Sequence, residues 1–262
     1  MEYQTLLTET AGGVATITLN RAEVMNALDG QMRAELRHAI AALAPVDGQG
    51  ARVLVLTGAG RAFCSGQDLG DGPNVAQLNL QQVLRDEYHP LLHAIRDCPV
   101  PVIAAVNGTA AGAGASLALA CDVVIAAESA GFIQAFSRIG LMPDAGGSWI
   151  WPRLVGPARA LGAALFAERI SAREAADWGL IWEAVPDADF PTHWQARAAQ
   201  LASGPTRAYA EIRAATRAAL SRELDTHIED EAARQGALGQ TRDFREGLLA
   251  FLEKRPATFE GR

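Results

Sequence analysis

Lysine is nearly missing from this 262-residue chain: Lys254 is the only one, and arginine carries the rest of the positive charge. That charge gathers in no basic run, and the formal net charge is −7. A nucleic-acid partner is therefore not expected, since binding a phosphate backbone needs a basic face. Cysteine is scarce as well. Cys64, Cys98 and Cys121 are odd in number, form no C-x-x-C pair and sit among apolar or small residues. This argues against a disulfide framework or a metal site and predicts free, buried thiols. The opening MEYQTLLTET has no basic segment followed by an apolar one, so no signal peptide is expected. No apolar run is long and helix-like enough to span a bilayer, and a cytoplasmic protein is expected. One further absence bears on chemistry: no carboxylate occurs between Ala130 and Pro143.

What is present is ample apolar sequence, 49% of the chain, enough for one large α/β core with an appendage. Val14–Leu19 alternates β-branched and small residues and reads as a strand. Met32, Leu36, Ile40 and Leu43 recur at helical spacing, which predicts a helix over 29–43. Arg52–Thr57, Pro101–Val106 and Asp122–Ala127 are apolar runs that read as buried strands. The first two stop at Gly58-Ala59-Gly60 and Asn107-Gly108, so strand followed by a small-residue turn is a recurring plan. Strands alternating with helices predict a largely parallel α/β arrangement. Beyond about residue 156 the pattern turns helical: 158–167, 171–178, 190–202, 206–220, 223–236 and 243–252. Ser171 with Glu174 forms a capping-box pair. Gly204-Pro205 punctuates a division into a core of residues 1–202 and a helical region of 203–262, too small to bury its own apolar residues.

Two segments carry chemistry. Gly112-Ala113-Gly114-Ala115-Ser116 is a small-residue turn opening an apolar helix. It can offer bare backbone N–H groups, aided by the helix N-terminal charge, to a developing oxyanion. Pro143-Asp144-Ala145-Gly146-Gly147 sets one carboxylate in a turn, where it can move a proton. The strand-end segment Arg61–Leu69 can supply a second N–H donor. Asp144 also suits a plainer role, capping a helix over 146–153. Asp122 reads as a turn or cap residue and Asp68 as a turn former. His89 and His93 lie four apart with no acid or cysteine to complete a metal set, so rim or surface positions are expected.

The chain resembles the enoyl-CoA hydratase/isomerase, or crotonase, family along essentially its whole length. Asn20-Arg21 with Asn26-Ala27-Leu28, Ala62–Leu69, Ala104–Asp122 and Pro143–Gly147 carry the likeness. Phe63–Leu69, Phe136–Leu141 and Asp243–Gly247 are most similar to an isomerase branch. The resemblance implies an α/β fold with a superhelical core of repeated ββα units and a C-terminal helical trimerisation region, as a homotrimer or dimer of trimers. It implies a CoA-thioester carbonyl held by the N–H groups of Gln67 and Ala113. CoA would lie along Ser65, Gln67, Asp68 and Leu69, with Arg21 and Met25 nearby and Lys254 of an adjoining subunit near a phosphate. No cofactor is implied beyond the CoA of the substrate.

The departures from the family pattern set the expected activity. Where hydratases carry two glutamates that activate water, this chain has Ser116 and Phe136, which become candidate lining of the acyl pocket. Asp144 stands where isomerases and dehalogenases of the family carry their acid. Isomerisation is therefore expected, of a ring-epoxide acyl-CoA to an oxepin or of a 3-enoyl-CoA to a 2-enoyl-CoA. The alternatives are hydration of a 2-enoyl-CoA and CoA-thioester binding without catalysis. Ser116 after its small-residue turn is also similar to the nucleophile of Clp-type serine proteases, but no histidine lies between His93 and His193 to activate it.

Overall fold

The computed structural model describes residues 2–44, 50–70 and 79–262. β1 (Leu6–Ala11) and β2 (Val14–Leu19) form a hairpin pairing Leu6 with Leu19 and Ala11 with Val14. Its two turn residues, Gly12 and Gly13, both have positive φ, 57° and 79°, as a tight two-residue hairpin turn requires. Asp29 accepts the Met32 N–H at 2.7 Å and so starts α1 (Gly30–Leu43). This helix buries Met32, Leu36, Ala39 and Ile40 in the core.

Each apolar run then becomes the first of two consecutive strands. β3 (Val53–Gly58) leads into β4 (Ala62–Cys64). The chain next passes through α2 (Leu80–Val83), a π-helical turn at Leu84–Tyr88, and α3 (His89–Arg96). β5 (Val102–Val106) leads into β6 (Thr109–Ala111) and α4 (Ala113–Ala120). β7 (Val123–Ala127) leads into β8 (Gly131–Ile133), a 3-10 turn at Ala135–Ile139, and α5 (Gly147–Phe166). The last elements are β9 (Arg169–Ser171), α6 (Ala172–Asp177), β10 (Glu183–Val185) and α7 (Phe190–Ala202). Then follow α8 (Thr206–Ala219), α9 (Leu224–Leu238) and α10 (Arg242–Glu253).

The first strands form one sheet in the order β1-β2-β3-β5-β7-β10, parallel from β2 onward. The second strands form another, β4-β6-β8-β9, parallel except for β9. This is the repeated ββα plan, and it explains why β3, β5 and β7 read as unbroken apolar runs: parallel strands are covered on both faces. Within β5 all five residues are buried. The short β4, β6 and β8 bring the ends of successive repeats side by side, and the site forms there.

Packing at that junction depends on missing side chains. A Cβ on Gly114 would lie 2.3 Å from the Cys64 carbonyl oxygen, so α4 rests directly on β4. A Cβ on Gly66 would lie 2.8 Å from the Ala111 oxygen, and Gly66 also has φ near 100°. All three cysteines are free and buried.

The Ser171–Glu174 capping box forms as its spacing predicts. The helix expected over 158–167 is the second half of α5, which begins at Gly147 and kinks at Gly156 (φ 76°, ψ 164°) before Pro157. Asp122, expected as a turn or cap residue, is a latch: it accepts the Val102 N–H at 2.8 Å and pairs with Arg213 at 2.7 Å and Arg217 at 2.6 Å. It thereby ties α8 to β5. Buried Asp243 accepts the N–H groups of Glu260 and Gly261, folding the last residues back onto α10. Among the described residues no helix is long and apolar enough to cross a membrane.

Candidate active site

Two backbone segments converge where β4 and β6 end. Leu28 donates to the Gly66 carbonyl at 2.8 Å and accepts the Asp68 N–H at 3.1 Å, which makes a parallel bridge between Leu28 and Gln67. In such a bridge the central residue turns its own N–H and C=O away from its partner. The Gln67 N–H therefore points to the side opposite Leu28. On Gly66, next to it, a Cβ would lie 3.3 Å from the Ala113 nitrogen. Ala113 is the first residue of α4, where N–H groups lack intrahelical partners. Among the described residues, no turn or loop hydrogen bond takes the N–H of Gln67 or of Ala113. The structure thus brings together the two donors read from separate strand ends. The turn needs Gly112, at φ 52° and ψ −127°, to present Ala113 this way.

Asp144 lies between β8 and α5. Its backbone is held twice: its carbonyl accepts the Gly147 N–H at 2.8 Å and the Ser116 hydroxyl at 3.0 Å. Its carboxylate does not cap α5, whose N-cap is Gly146 with no side-chain bond, so the capping role is overturned. The buried Oδ1 has no hydrogen-bond partner among the described residues, and burial pushes the carboxyl up to about 6. A carboxyl poised near neutrality can both take and return a proton. With no basic group compensating it, desolvation is the cause of the shift.

Ser116 is fully buried in α4 and spends its hydroxyl on the Asp144 backbone. Phe136 is buried, and its ring tip is 3.8 Å from where a Gly112 Cβ would be, beside the N–H pair. Gln134 is also buried, and its Nε2 is 3.7 Å from a would-be Gly147 Cβ that lies 2.8 Å from the Ser116 Oγ. Neither polar atom of its amide has a partner among the described residues.

The residues expected along CoA share one corner. Arg21 donates to Ala27 O at 2.7 Å and to Asp68 Oδ2 at 2.8 Å, and pairs with Asp29 at 3.3 Å. The Arg21 hydrogen bond holds the Asp68 carboxyl below its ordinary range. Ser65 donates its N–H to the Met25 carbonyl at 3.0 Å and its hydroxyl to Val24 O at 3.2 Å. Met25 takes a left-handed conformation, φ 54°, at the end of its turn, and Met25 and Leu69 expose their side chains. Residues 21–28 and 65–70 are thus one laced rim around Gln67. His89 and His93 are exposed. Among the described residues no group of three His, Cys, Asp or Glu could hold a metal ion.

Sequence reasoning missed Arg33 and Tyr88. Arg33 sits beside the apolar stripe of α1, and Tyr88 precedes α3. Arg33 donates to the Gln67 side-chain carbonyl at 2.8 Å, and the Tyr88 hydroxyl does so at 2.7 Å. No local pattern marks either one.

Among the described residues, two N–H groups outside the turn and loop hydrogen bonds and one near-neutral acid thus gather around the start of α4, a set of groups that can polarise a carbonyl and move a proton next to it. Residues 9–262 match the sequence model of the enoyl-CoA hydratase/isomerase family. The chain belongs to that family, whose members act on acyl-CoA thioesters. It is 63% identical to a protein of Rhodobacter capsulatus named a probable enoyl-CoA hydratase, covering 100% of both chains. It is 44% identical to the 1,2-epoxyphenylacetyl-CoA isomerase of Escherichia coli, again over 100% of both. The crystal structure of an enoyl-CoA hydratase from Bacillus anthracis superimposes with a TM-score of 0.90 at 34% identity, covering 99% of this chain and 100% of that one.

Proposed function

We propose that this chain is an acyl-CoA isomerase in which Asp144 shuttles a proton beside a thioester held by Gln67 and Ala113. The observation that carries this reading is Asp144 itself: a half-buried carboxyl pushed up to about 6, whose backbone is held by the non-acidic Ser116, with the non-acidic Phe136 beside Gly112. On a 3-enoyl thioester, the Asp144 carboxylate takes the proton from C2. The charge moves to the thioester oxygen, where the two N–H groups hold it. As the proton returns at C4, the double bond shifts from C3–C4 to C2–C3. Every atom stays in the substrate, and no cofactor beyond its CoA enters.

A ring-1,2-epoxyphenylacetyl thioester suits the same machinery and is the preferred substrate in this reading. Loss of the α-proton to Asp144 delocalises charge onto the thioester oxygen. The fused ring carbon–carbon bond opens to the seven-membered oxepin, and the proton returns at a ring carbon. The 44% identical isomerase of Escherichia coli supports that substrate, and with it a place in phenylacetate breakdown. Phe136 offers an apolar wall for such an acyl group, and Ser116 closes the pocket behind Asp144. CoA lies along Arg21, Met25, Ser65, Gln67, Asp68 and Leu69. The exposed apolar residues of α8–α10, among them Ile212, Leu224, Leu248, Leu249 and Phe251, support a homotrimer or a dimer of trimers.

The 63% identical relative's name favours a second reading, hydration of a 2-enoyl thioester. That reaction needs a water to be held and deprotonated. Here the Ser116 hydroxyl is engaged with Asp144 O, and Phe136 offers no polar atom. The test is direct: ring-1,2-epoxyphenylacetyl-CoA, a 3-enoyl-CoA and crotonyl-CoA are turned over side by side, with products read by mass and ultraviolet absorbance. Hydration as fast as isomerisation establishes the second reading, and no turnover of any thioester leaves a binding protein.

A further inference from the structure

Gln67 is held from two directions. Its flanking peptides are bonded to Leu28, as described above. Its side chain is gripped as well: Oε1 accepts from Arg33 Nη1 at 2.8 Å and from the Tyr88 hydroxyl at 2.7 Å, while Nε2 donates to Asp68 O at 2.9 Å. The grip is rigid because its own parts are fixed. The same Arg33 Nη1 donates to Leu28 O at 2.6 Å, and Arg33 Nε and Nη2 hold Glu87 Oε2 at 2.9 and 2.7 Å. The guanidinium also lies 4.9 Å from the Tyr88 ring centroid. Arg33 and Tyr88 are 4% and 3% exposed, so water does not compete for these bonds.

A buried guanidinium is costly unless its donors are satisfied. Here it is spent on one loop residue and that residue's bridge partner, Leu28. Glu87 balances the charge, so what the arrangement supplies to Gln67 is position. An oxyanion donor works only when it is fixed before the charge develops. A side chain gripped at its amide narrows the range over which the Gln67 peptide can turn.

We propose that Arg33 and Tyr88 are positioning residues of the oxyanion hole, clamping the Gln67 side-chain carbonyl so that its backbone N–H stays aimed at the thioester oxygen. This rests on the oxyanion role given to Gln67 above. Tyr88 acts through its hydroxyl, which burial keeps protonated and donating. Arg33 acts through a planar fork that lysine cannot reproduce.

The experiment uses the full-length protein and an acyl-CoA carrying a 13C-labelled thioester carbonyl. The carbonyl stretching frequency of the bound ligand reports polarisation by the N–H pair, and kcat and KM are measured beside it. Wild type lowers the frequency relative to free ligand. Tyr88→Phe and Arg33→Lys should lose a substantial part of that lowering. For Tyr88→Phe, kcat should fall about 10- to 100-fold, the scale of a small misplacement at a reacting centre, with KM within about twofold. Gln67→Met keeps the N–H but removes the gripped oxygen. In that background Tyr88→Phe should add nothing further.

Each contrary result points to a different failure. Wild type with no lowering of the frequency refutes the oxyanion hole and the clamp with it. A wild-type lowering that Tyr88→Phe and Arg33→Lys both retain, with unchanged kcat, overturns the clamp alone. Equal losses from Tyr88→Phe in both backgrounds would mean that the hydroxyl acts elsewhere, and would also overturn it.

Discussion

Replacing Asp144 by asparagine should cost activity and gain stability at once. The carboxyl stands at about 6 in the folded protein against an ordinary 3.8, and burial is the cause. The difference is about 2 units, and each unit corresponds to about 1.4 kcal/mol, so the ceiling is about 3 kcal/mol. The group is only half-buried, and solvent screening reduces that to about 1–2 kcal/mol. The sign follows from proton linkage. Between about pH 4 and 6 the folded protein holds a proton that the unfolded chain has released, so stability falls as pH rises through that window. Above it the full penalty of an ionised, uncompensated carboxylate remains. Asp144→Asn removes the ionisation and keeps the shape. Its unfolding free energy at pH 8 should exceed wild type by about 1–2 kcal/mol, and the gain should vanish near pH 4. Turnover should fall about 10²–10⁴-fold, the usual contribution of a general acid–base. The wild-type kcat/KM should fall as pH drops below about 6, with a single ionisation, since the resting base must be charged. Denaturant titrations at several pH values and steady-state kinetics measure all of this. A variant that turns over normally refutes the catalytic role, and one whose stability gain over wild type is no larger at pH 8 than at pH 4 refutes the desolvation account.

Gly66→Ala puts a methyl 2.8 Å from the Ala111 oxygen at a φ near 100°, so the two N–H segments must separate. Activity should drop at least about 10²-fold, as for loss of one oxyanion donor, while circular dichroism stays near wild type. Retained activity would mean that the segments do not need this approach. Ser116→Ala leaves the Asp144 carbonyl with one donor fewer, and should cost about 1–2 kcal/mol in thermal or chemical unfolding together with part of kcat. An unchanged protein would show that the hydroxyl does not hold the acid. Sedimentation at micromolar concentration should show a trimer or hexamer, and a stable monomer would contradict the role given to the exposed apolar residues of α8–α10.

Much of the fold was legible because its signals are local. β3, β5 and β7 announce themselves as apolar runs, since parallel strands buried on both faces need no alternation. α7 occupies residues 190–202 as its pattern predicts, and Ser171 with Glu174 marks the start of α6. Asp144 and the turn at Gly112 stood out as a lone acid and a run of bare backbone. The short strands β4, β6 and β8 did not, because three residues carry no period and their pairing comes from chain far away in sequence.

The state of the site was decided by the tertiary structure alone. Whether Asp144 caps a helix or waits as a buried acid depends on which groups surround its carboxylate, and sequence cannot supply that count. The Ser116 hydroxyl is spent on a carbonyl 28 residues away. The Gln67 side-chain carbonyl meets Arg33 and Tyr88, 34 and 21 residues distant along the chain. Sequence determines which chemical groups exist and which segments pair locally. Folding decides which of them lose water and which meet, and the pKa of an acid or the aim of an N–H follows from those meetings.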